Sequence, residues 1–125
     1  MLVRFTVLSL DSDSGYNAGI LVAAHKLRDE GNLTVEEHRQ LRLCLKWFND
    51  ELEIPTILKE PEHRRAISWF KSEAKEPIAK MWELKKVLIE HGIHVEVLHT
   101  IDPGVVVYED KWQVIAKPQK RLRSQ

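Results

Sequence analysis

Apolar and polar residues alternate along the N-terminal stretch "LVRFTVLSL", residues 2–10. Val3, Phe5 and Val7 fall on one face of an extended chain and Arg4 on the other, and most of these residue types favour strands. We therefore predict a first strand here. The turn formers of "DSDSG" end it.

Two helices are predicted next. Asp13 or Ser14 can cap a helix from about Gly15 to Glu30, and Gly31 stands where such a helix would end. The second helix is predicted from Val35 to Leu52. It opens on a capping box formed by Thr34 and Glu37, and its apolar side chains recur at helical spacing: Leu41, Leu45, Phe48 and Leu52.

A third helical pattern follows the proline-containing stretch "EIPTILKEP". One apolar stripe comprises Ile67, Phe70, Ala74, Ile78, Met81, Leu84 and Leu88. It passes through Pro77, and proline inside a helix costs about 3 kcal/mol. Because the stripe keeps its phase, we predict one helix that begins at Glu62, has a kink near Pro77 and is capped by Gly92. Two helices meeting at Pro77 are the alternative.

Alternation returns in "IHVEVLHT" and in "VVVYEDKWQVIA", which are separated by a turn at Pro103-Gly104. A two-residue turn at Asp110-Lys111 would make the second stretch a hairpin, and a longer loop that includes Glu109 is the alternative. The two-residue turn predicts these pairs: Val105–Ala116, Val106–Ile115, Val107–Val114 and Tyr108–Gln113.

The order of these elements predicts an α+β fold. A small, mostly antiparallel sheet of the N-terminal strand and the C-terminal strands would be covered on one face by three helices. With 125 residues, we expect one domain over residues 1–116 and a basic, mobile tail over 117–125.

Composition narrows the function classes. The 19 basic and 19 acidic residues cancel, so the whole molecule has no strong field for a nucleic acid or an anionic membrane. Cys44 is the only cysteine, which rules out an internal disulfide and fits a reducing compartment. The apolar runs are too short to span a bilayer. We expect a cytoplasmic protein without membrane contact.

The strongest catalytic pattern is "VLSLDSDSG". A strand that ends in Asp-x-Asp resembles the haloacid-type phosphohydrolases over five residues. The resemblance implies a nucleophilic Asp11 and an acid/base Asp13 around magnesium. However, Gly15 stands where those enzymes carry Thr or Val. We favour a capping turn.

Other catalytic signals are weaker. No two of the six histidines have the helical i, i+4 spacing of a metal site, so we expect no metal or other cofactor, although distant histidines could assemble one. Cys44 lies in the middle of a predicted helix, unlike a reactive thiolate at a helix N-terminus. Whether the protein is an enzyme stays open, and we favour a protein without catalysis.

Two segments are candidate binding sites. Trp69 and Lys71 could stack bases and attract phosphates, but burial of the tryptophan between sheet and helices is the favoured interpretation. The tail carries four basic residues that could form a nucleic-acid arm or a solubilising terminus: Lys117, Lys120, Arg121 and Arg123.

The triplet Tyr108-Glu109-Asp110 poses a similar choice. Tyr108 and Gln113 could orient a ligand by hydrogen bonds, and Glu109 could act as a base if burial raised its pKa. The same residues are typical of a hairpin end, where a tyrosine buries its ring and solvates its hydroxyl. We favour the turn.

The motifs "DSDSG", "WFND", "SWFK" and "PGVVVYEDKWQV" resemble a group of short bacterial proteins along nearly the whole chain. That resemblance implies a bacterial cytoplasmic setting and carries over no activity or site residue. Our leading hypothesis is a non-enzymatic binding or regulatory module that contacts another protein or a second copy of itself. A phosphohydrolase using Asp11 and Asp13 and a nucleic-acid-binding protein are the alternatives.

Overall fold

A computed structural model describes residues 1–10, 17–53, 55–63 and 65–118. Three helices and six strands follow one another, with two short 3-10 turns at Thr56–Lys59 and Pro61–His63 between α2 and β3. In chain order they are β1 (Leu2–Leu10), β2 (Asn17–Gly19), α1 (Ile20–Glu30), α2 (Val35–Glu51), β3 (Ile67–Lys71), α3 (Lys75–Glu90), β4 (Val95–Thr100), β5 (Val105–Glu109) and β6 (Gln113–Lys117).

The six described strands form one antiparallel sheet in the order β2-β1-β3-β6-β5, and β4 pairs with β1. β1 pairs with β4 from Leu2 to Val7. It also pairs with β3 at Leu2 and Val3 and with β2 at Thr6 and Leu10. The predicted α+β fold with three helices and an antiparallel sheet is confirmed.

The main core lies between one sheet face and the helices. Val3, Phe5 and Val7 are buried on this face, and the register places Phe70 and Val95 beside them. Each helix contributes buried side chains to the same cluster, among them Ile20, Ala24 and Leu27 from α1, Leu41, Leu45 and Phe48 from α2, and Met81, Leu84 and Leu88 from α3. The apolar spacing of α2 and of the second half of the third stripe therefore did identify core residues.

The capping box of α2 is confirmed. The Thr34 hydroxyl accepts a hydrogen bond from the Glu37 amide at 3.1 Å, and the Glu37 carboxylate accepts one from the Thr34 amide at 3.0 Å. Both amides belong to the free backbone donors at a helix start. Short-range chemistry fixes this end of the helix without help from the sheet.

The predicted start of the first helix is wrong. α1 begins at Ile20 after Gly19, which makes no side-chain cap, so neither Asp13 nor Ser14 caps it. The residues just before it extend β2 along β1 instead, because pairing with β1 satisfies their backbone better than another helical turn would. The turn "DSDSG" lies outside the described residues. Gly31 follows the last turn as predicted.

The predicted helix from Glu62 is also wrong. Residues 67–71 form β3, and α3 begins only at Lys75. Ile67 and Phe70 lie on opposite faces of this strand and both are buried, which imitates a helical stripe. Pro77 stands in the first turn of α3, where no intrahelical amide bond is needed, so the predicted kink is absent.

The predicted hairpin register is wrong by two residues at Tyr108 and by one residue at Val105 and Val106. Glu109 pairs with Val114 and Tyr108 with Ile115, and an irregularity between Val106 and Tyr108 shifts the remaining pairs to Val106–Ala116 and Val105–Lys117. The chain turns at Lys111-Trp112, where the Asp110 amide donates to the Gln113 carbonyl at 2.9 Å. No described residue other than glycine has positive φ, so the turn does not need a primed conformation.

The structure also bears on the expected lack of a membrane span and on the predicted end of the domain at residue 116. None of the described helices has the length and apolarity needed to cross a membrane. Lys117 belongs to β6, so the sheet continues one residue beyond the predicted domain end. Residues 119–125 of the predicted tail lie outside the described part of the chain.

A pair of leucines on α2 tests the placement of the core. Leu41 is 1% exposed and Leu43 is 52% exposed. Leu41→Ala should lower the free energy of unfolding by about 2–5 kcal/mol because it leaves a cavity, whereas Leu43→Ala should change it by less than about 0.5 kcal/mol. Urea unfolding of both variants measures this. Equal losses would contradict the orientation of α2.

Candidate functional site

The end of the β5–β6 hairpin is held by the Asp110 carboxylate. It accepts hydrogen bonds from the amides of Trp112 at 2.9 Å and Gln113 at 2.7 Å, and from the Tyr108 hydroxyl at 2.8 Å. The Gln113 side chain donates to the Glu53 carbonyl at 3.0 Å. Tyr108 and Gln113 are thus joined through Asp110, and their polar groups are used inside the chain.

These contacts also fix the protonation states. The hydrogen bond to Asp110, together with burial, raises the pKa of Tyr108 to about 12. Burial opposes ionisation of Asp110, but the amides of Gln113 and Trp112 and the Tyr108 hydroxyl together hold its pKa below the ordinary value. At neutral pH the phenol therefore remains a donor and the carboxylate an acceptor, which suits a turn rather than acid–base chemistry.

The other predicted binding residues lie on the opposite face of the sheet. The Lys71 ammonium pairs with the Glu109 carboxylate at 2.8 Å. Glu109 is exposed, so it lacks the burial on which its predicted role as a base depended. Trp69 is buried, and its indole N–H has no hydrogen-bond partner among the described residues. The ring is therefore not accessible for stacking, and its burial agrees with the interpretation that we favoured.

Most residues of the predicted basic tail, and both predicted catalytic aspartates, lie outside the described residues. The Lys117 ammonium donates to the Glu62 carbonyl at 3.3 Å. Lys120, Arg121, Arg123, Asp11 and Asp13 lie outside the described residues, so their proposed roles stay predictions.

Sequence reasoning missed an aromatic cluster at the hairpin end. The rings of Trp47 and Trp112 stack with centroids 5.6 Å apart at 27°. Lys80 lies 5.9 Å from the Trp47 ring and Lys111 lies 4.3 Å from the Trp112 ring. These contacts attach the hairpin to α2 and α3. No short-range pattern links two tryptophans 65 residues apart.

Cys44 is unsuited to nucleophilic catalysis. Its side chain is buried, and its thiol donates to the Lys80 carbonyl at 3.5 Å. Burial, with a smaller contribution from Glu83, raises the pKa of the thiol to about 11. At neutral pH the group is therefore protonated, as a structural cysteine in an apolar setting should be.

The described surface contains a cleft of about 580 Å³ between α1, the end of β1 and the turn before β4. Its lining is mainly apolar: Val7, Leu8, Val22, Ala23, Leu27 and Ile93. Three polar side chains also line it: Lys26, Glu30 and His94. The volume falls within the range of about 300–1,000 Å³ that ligand sites occupy. The cleft is therefore large enough for one or more apolar side chains of a partner.

Two large apolar side chains at this cleft face solvent. Leu8 is 68% exposed and Val22 is 64% exposed. A sequence signal existed for Val22 but not for Leu8, since the apolar run Gly19–Ala24 is wider than one buried helix face requires. It indicated excess apolar surface on α1 but not the cleft that the surface lines.

The strand β4 begins directly after the cleft and forms an edge of the sheet. It pairs with β1 through six consecutive residue pairs without an irregularity, and with no other described strand. The opposite edge, β5, contains the irregularity between Val106 and Tyr108, and bulges protect an edge from further pairing. β2 also ends the sheet, but it has only three residues and its pairing with β1 is irregular. β4 is therefore the most regular of the described edge strands.

No family model, curated protein or solved structure matches the chain. The cleft and the adjoining edge of β4 are therefore judged on their own geometry.

The Asp110 turn gives a prediction about acid stability. Because the folded state lowers the pKa of Asp110, the stabilisation is present above the ordinary aspartate pKa of about 4 and is lost as pH falls through the folded value. Asp110→Asn should lower the free energy of unfolding by about 1 kcal/mol at pH 7. The difference from the unsubstituted protein should shrink toward about pH 2, as chemical unfolding across this range would show.

The matched control is Asp50→Asn. Asp50 is an exposed α2 residue in a surface ion pair with Lys46, and such pairs contribute about 0–1 kcal/mol. If the two variants had the same pH dependence, the Asp110 turn would not be the source of the effect.

Cys44 gives a second prediction. A buried thiol with a pKa of about 11 should react slowly with a thiol-specific disulfide reagent at pH 7 in the folded protein and rapidly once urea unfolds it. The rate of colour release measures both. Comparable rates would mean that Cys44 is accessible in the folded state.

Proposed function

We propose that the protein is a non-enzymatic binding module that takes up an extended apolar segment of a partner protein along β4. The observation that supports this best is the position of the cleft, which lies where β4 begins, and the outer edge of β4 pairs with no described strand. Backbone pairing and apolar anchoring would then act on the same bound segment.

Backbone hydrogen bonds would supply part of the affinity. An edge strand presents outward N–H and C=O groups, and a partner segment in extended conformation can add to them as a further strand. Six residues of β4 are already held straight by β1, so little ordering of this side is required on binding.

Side chains would supply the selectivity. Alternate residues of an added strand point to opposite faces of the sheet. One set would lie on the helix side, where Val7 and Val22 line the cleft. The other set would lie beside Leu98, which is 40% exposed on the opposite face. Lys26, Glu30 and His94 would favour polar groups flanking the apolar anchor.

The two alternatives receive less support. The phosphohydrolase hypothesis depends on Asp11 and Asp13, which lie outside the described residues. The nucleic-acid hypothesis loses its aromatic contact, because Trp69 is buried and Lys71 is paired with Glu109. The bacterial cytoplasmic setting stays a prediction from resemblance and composition.

Three substitutions test the proposal against a random peptide library displayed on phage. Val22→Asp would place a charge at the cleft, and Leu98→Lys would place one on β4 itself. Val35→Asp is the matched control, since Val35 is 88% exposed at the start of α2. Peptides selected on the unsubstituted protein should have apolar residues at alternating positions. They should bind the first two variants about tenfold or more weakly, a loss of at least about 1.4 kcal/mol, and bind the control unchanged.

A library that yields no binding peptide, or peptides that bind Val22→Asp and Leu98→Lys as well as the control, would overturn the proposal. Light scattering after size exclusion checks whether the partner is a second copy of the chain. A dimer that dissociates in Leu98→Lys would identify that copy as the occupant of β4, and a monomer at high concentration would assign the strand to a different protein.

A further inference from the structure

The turn between α2 and β3 brings three metal-ligand atoms together. One carboxylate oxygen of Glu60, one of Glu62 and one ring nitrogen of His63 lie within 4.8 Å of one another. The His63 amide donates to the Glu60 carbonyl at 2.9 Å and the Ala66 amide donates to the His63 carbonyl at 3.0 Å, which closes the turn around these side chains.

His63 is the unusual member of the group. Its side chain is only 9% exposed, and its Nδ1 atom has no hydrogen-bond partner among the described residues. Its Nε2 atom faces the two carboxylates, at 3.6 Å from Glu62 Oε2 and 3.8 Å from Glu60 Oε1. A buried imidazole usually makes hydrogen bonds, and this one is directed at two acidic groups without a side-chain hydrogen bond to any described residue.

The distances suit a cation between these atoms better than direct hydrogen bonds. Hydrogen bonds from nitrogen to oxygen in proteins span about 2.7–3.2 Å. Two ligands on bonds of about 2.0–2.1 Å to a tetrahedral zinc ion lie roughly 3.4 Å apart. The carboxylates of Glu60 and Glu62 are exposed, so small rotations of their side chains would close the remaining gap.

We propose that Glu60, Glu62 and His63 form a binding site for a divalent transition-metal ion of the zinc class. His63 Nε2 and one oxygen of each glutamate would be the ligands, and water would take the fourth position. With the ring proton on Nδ1, the Nε2 lone pair faces two negative groups, and a divalent ion between them replaces this repulsion with three favourable bonds. Imidazole among the ligands favours zinc-class ions over calcium and magnesium, which prefer oxygen.

The ion would stabilise the connection from α2 to β3. The Glu62 carbonyl already accepts a hydrogen bond from Lys117 on β6, so the turn is tied to the sheet from one side. A bound ion would fix the side chains of Glu60, Glu62 and His63 on the other side of the turn. Because the described residues offer three protein ligands and two of these are exposed, affinity should be modest.

The test uses the full chain without a purification tag and zinc alone as the probe, in isothermal titration calorimetry. The unsubstituted protein should bind one zinc ion per chain at this turn. Glu60→Gln and His63→Gln should each weaken binding about tenfold or more. His25→Gln is the control, because His25 is an exposed histidine on α1. Cobalt should give the visible absorption band of a tetrahedral ion in the control and not in the two site variants.

Glu60→Gln keeps the test decisive if His63→Gln fails to fold, since Glu60 is exposed. Zinc should also raise the melting temperature of the control and leave that of Glu60→Gln nearly unchanged. Absence of saturable zinc binding, or binding equally strong in Glu60→Gln and His25→Gln, would overturn the proposal. Either result would mean that His63 faces the two carboxylates without a metal between them.

Discussion

The pairing of β1 on both sides is the constraint on which the fold depends. One side of β1 is taken by β4 from Leu2 to Val7, and the other is divided between β3 at its start and β2 toward its end. A nine-residue strand thus pairs with three other strands, and these pairings set the register of the sheet. This arrangement places β4 at an edge and leaves Leu8 beside α1, and these two features produce the cleft.

Burial is unequal along the sheet. On the face away from the helices, Thr6, Ile67, Trp69, Val114 and Ala116 are all buried. Leu98 and Glu96 on β4 share that face through their pairing with Arg4 and Thr6, and both are exposed. The middle of the sheet is therefore packed on both faces, whereas β4 leaves Leu98 partly exposed. This asymmetry is what separates the candidate binding edge from the rest of the sheet.

Sequence reasoning succeeded where local chemistry decides the structure. The capping box of Thr34 and Glu37 and the alternation of β1 needed no distant contact. It failed at β3, since a strand buried on both faces resembles one side of a helix over five residues. It also failed at the hairpin, because the Asp110 carboxylate takes the role that we assigned to a two-residue turn at Asp110-Lys111. The cleft and the Glu60–His63 turn depend on tertiary placement, and for the cleft no residue pattern specifies the separation of α1 from β4.

An exposed edge strand also has to avoid pairing with every extended chain that it meets. β4 carries Glu96 and His99 among its apolar residues, and His94 directly precedes it with its ring 4.0 Å from the Glu96 carboxylate. Charged residues on an edge disfavour partners that would bury them without a counter-charge. A partner that offers only backbone would gain the hydrogen bonds and lose part of that gain to desolvation of these groups. A partner segment that also fills the cleft beside Val22 would offset this desolvation cost through burial of its apolar side chains. Selectivity for a particular segment can thus arise here without any of the polar clusters by which catalytic sites are recognised.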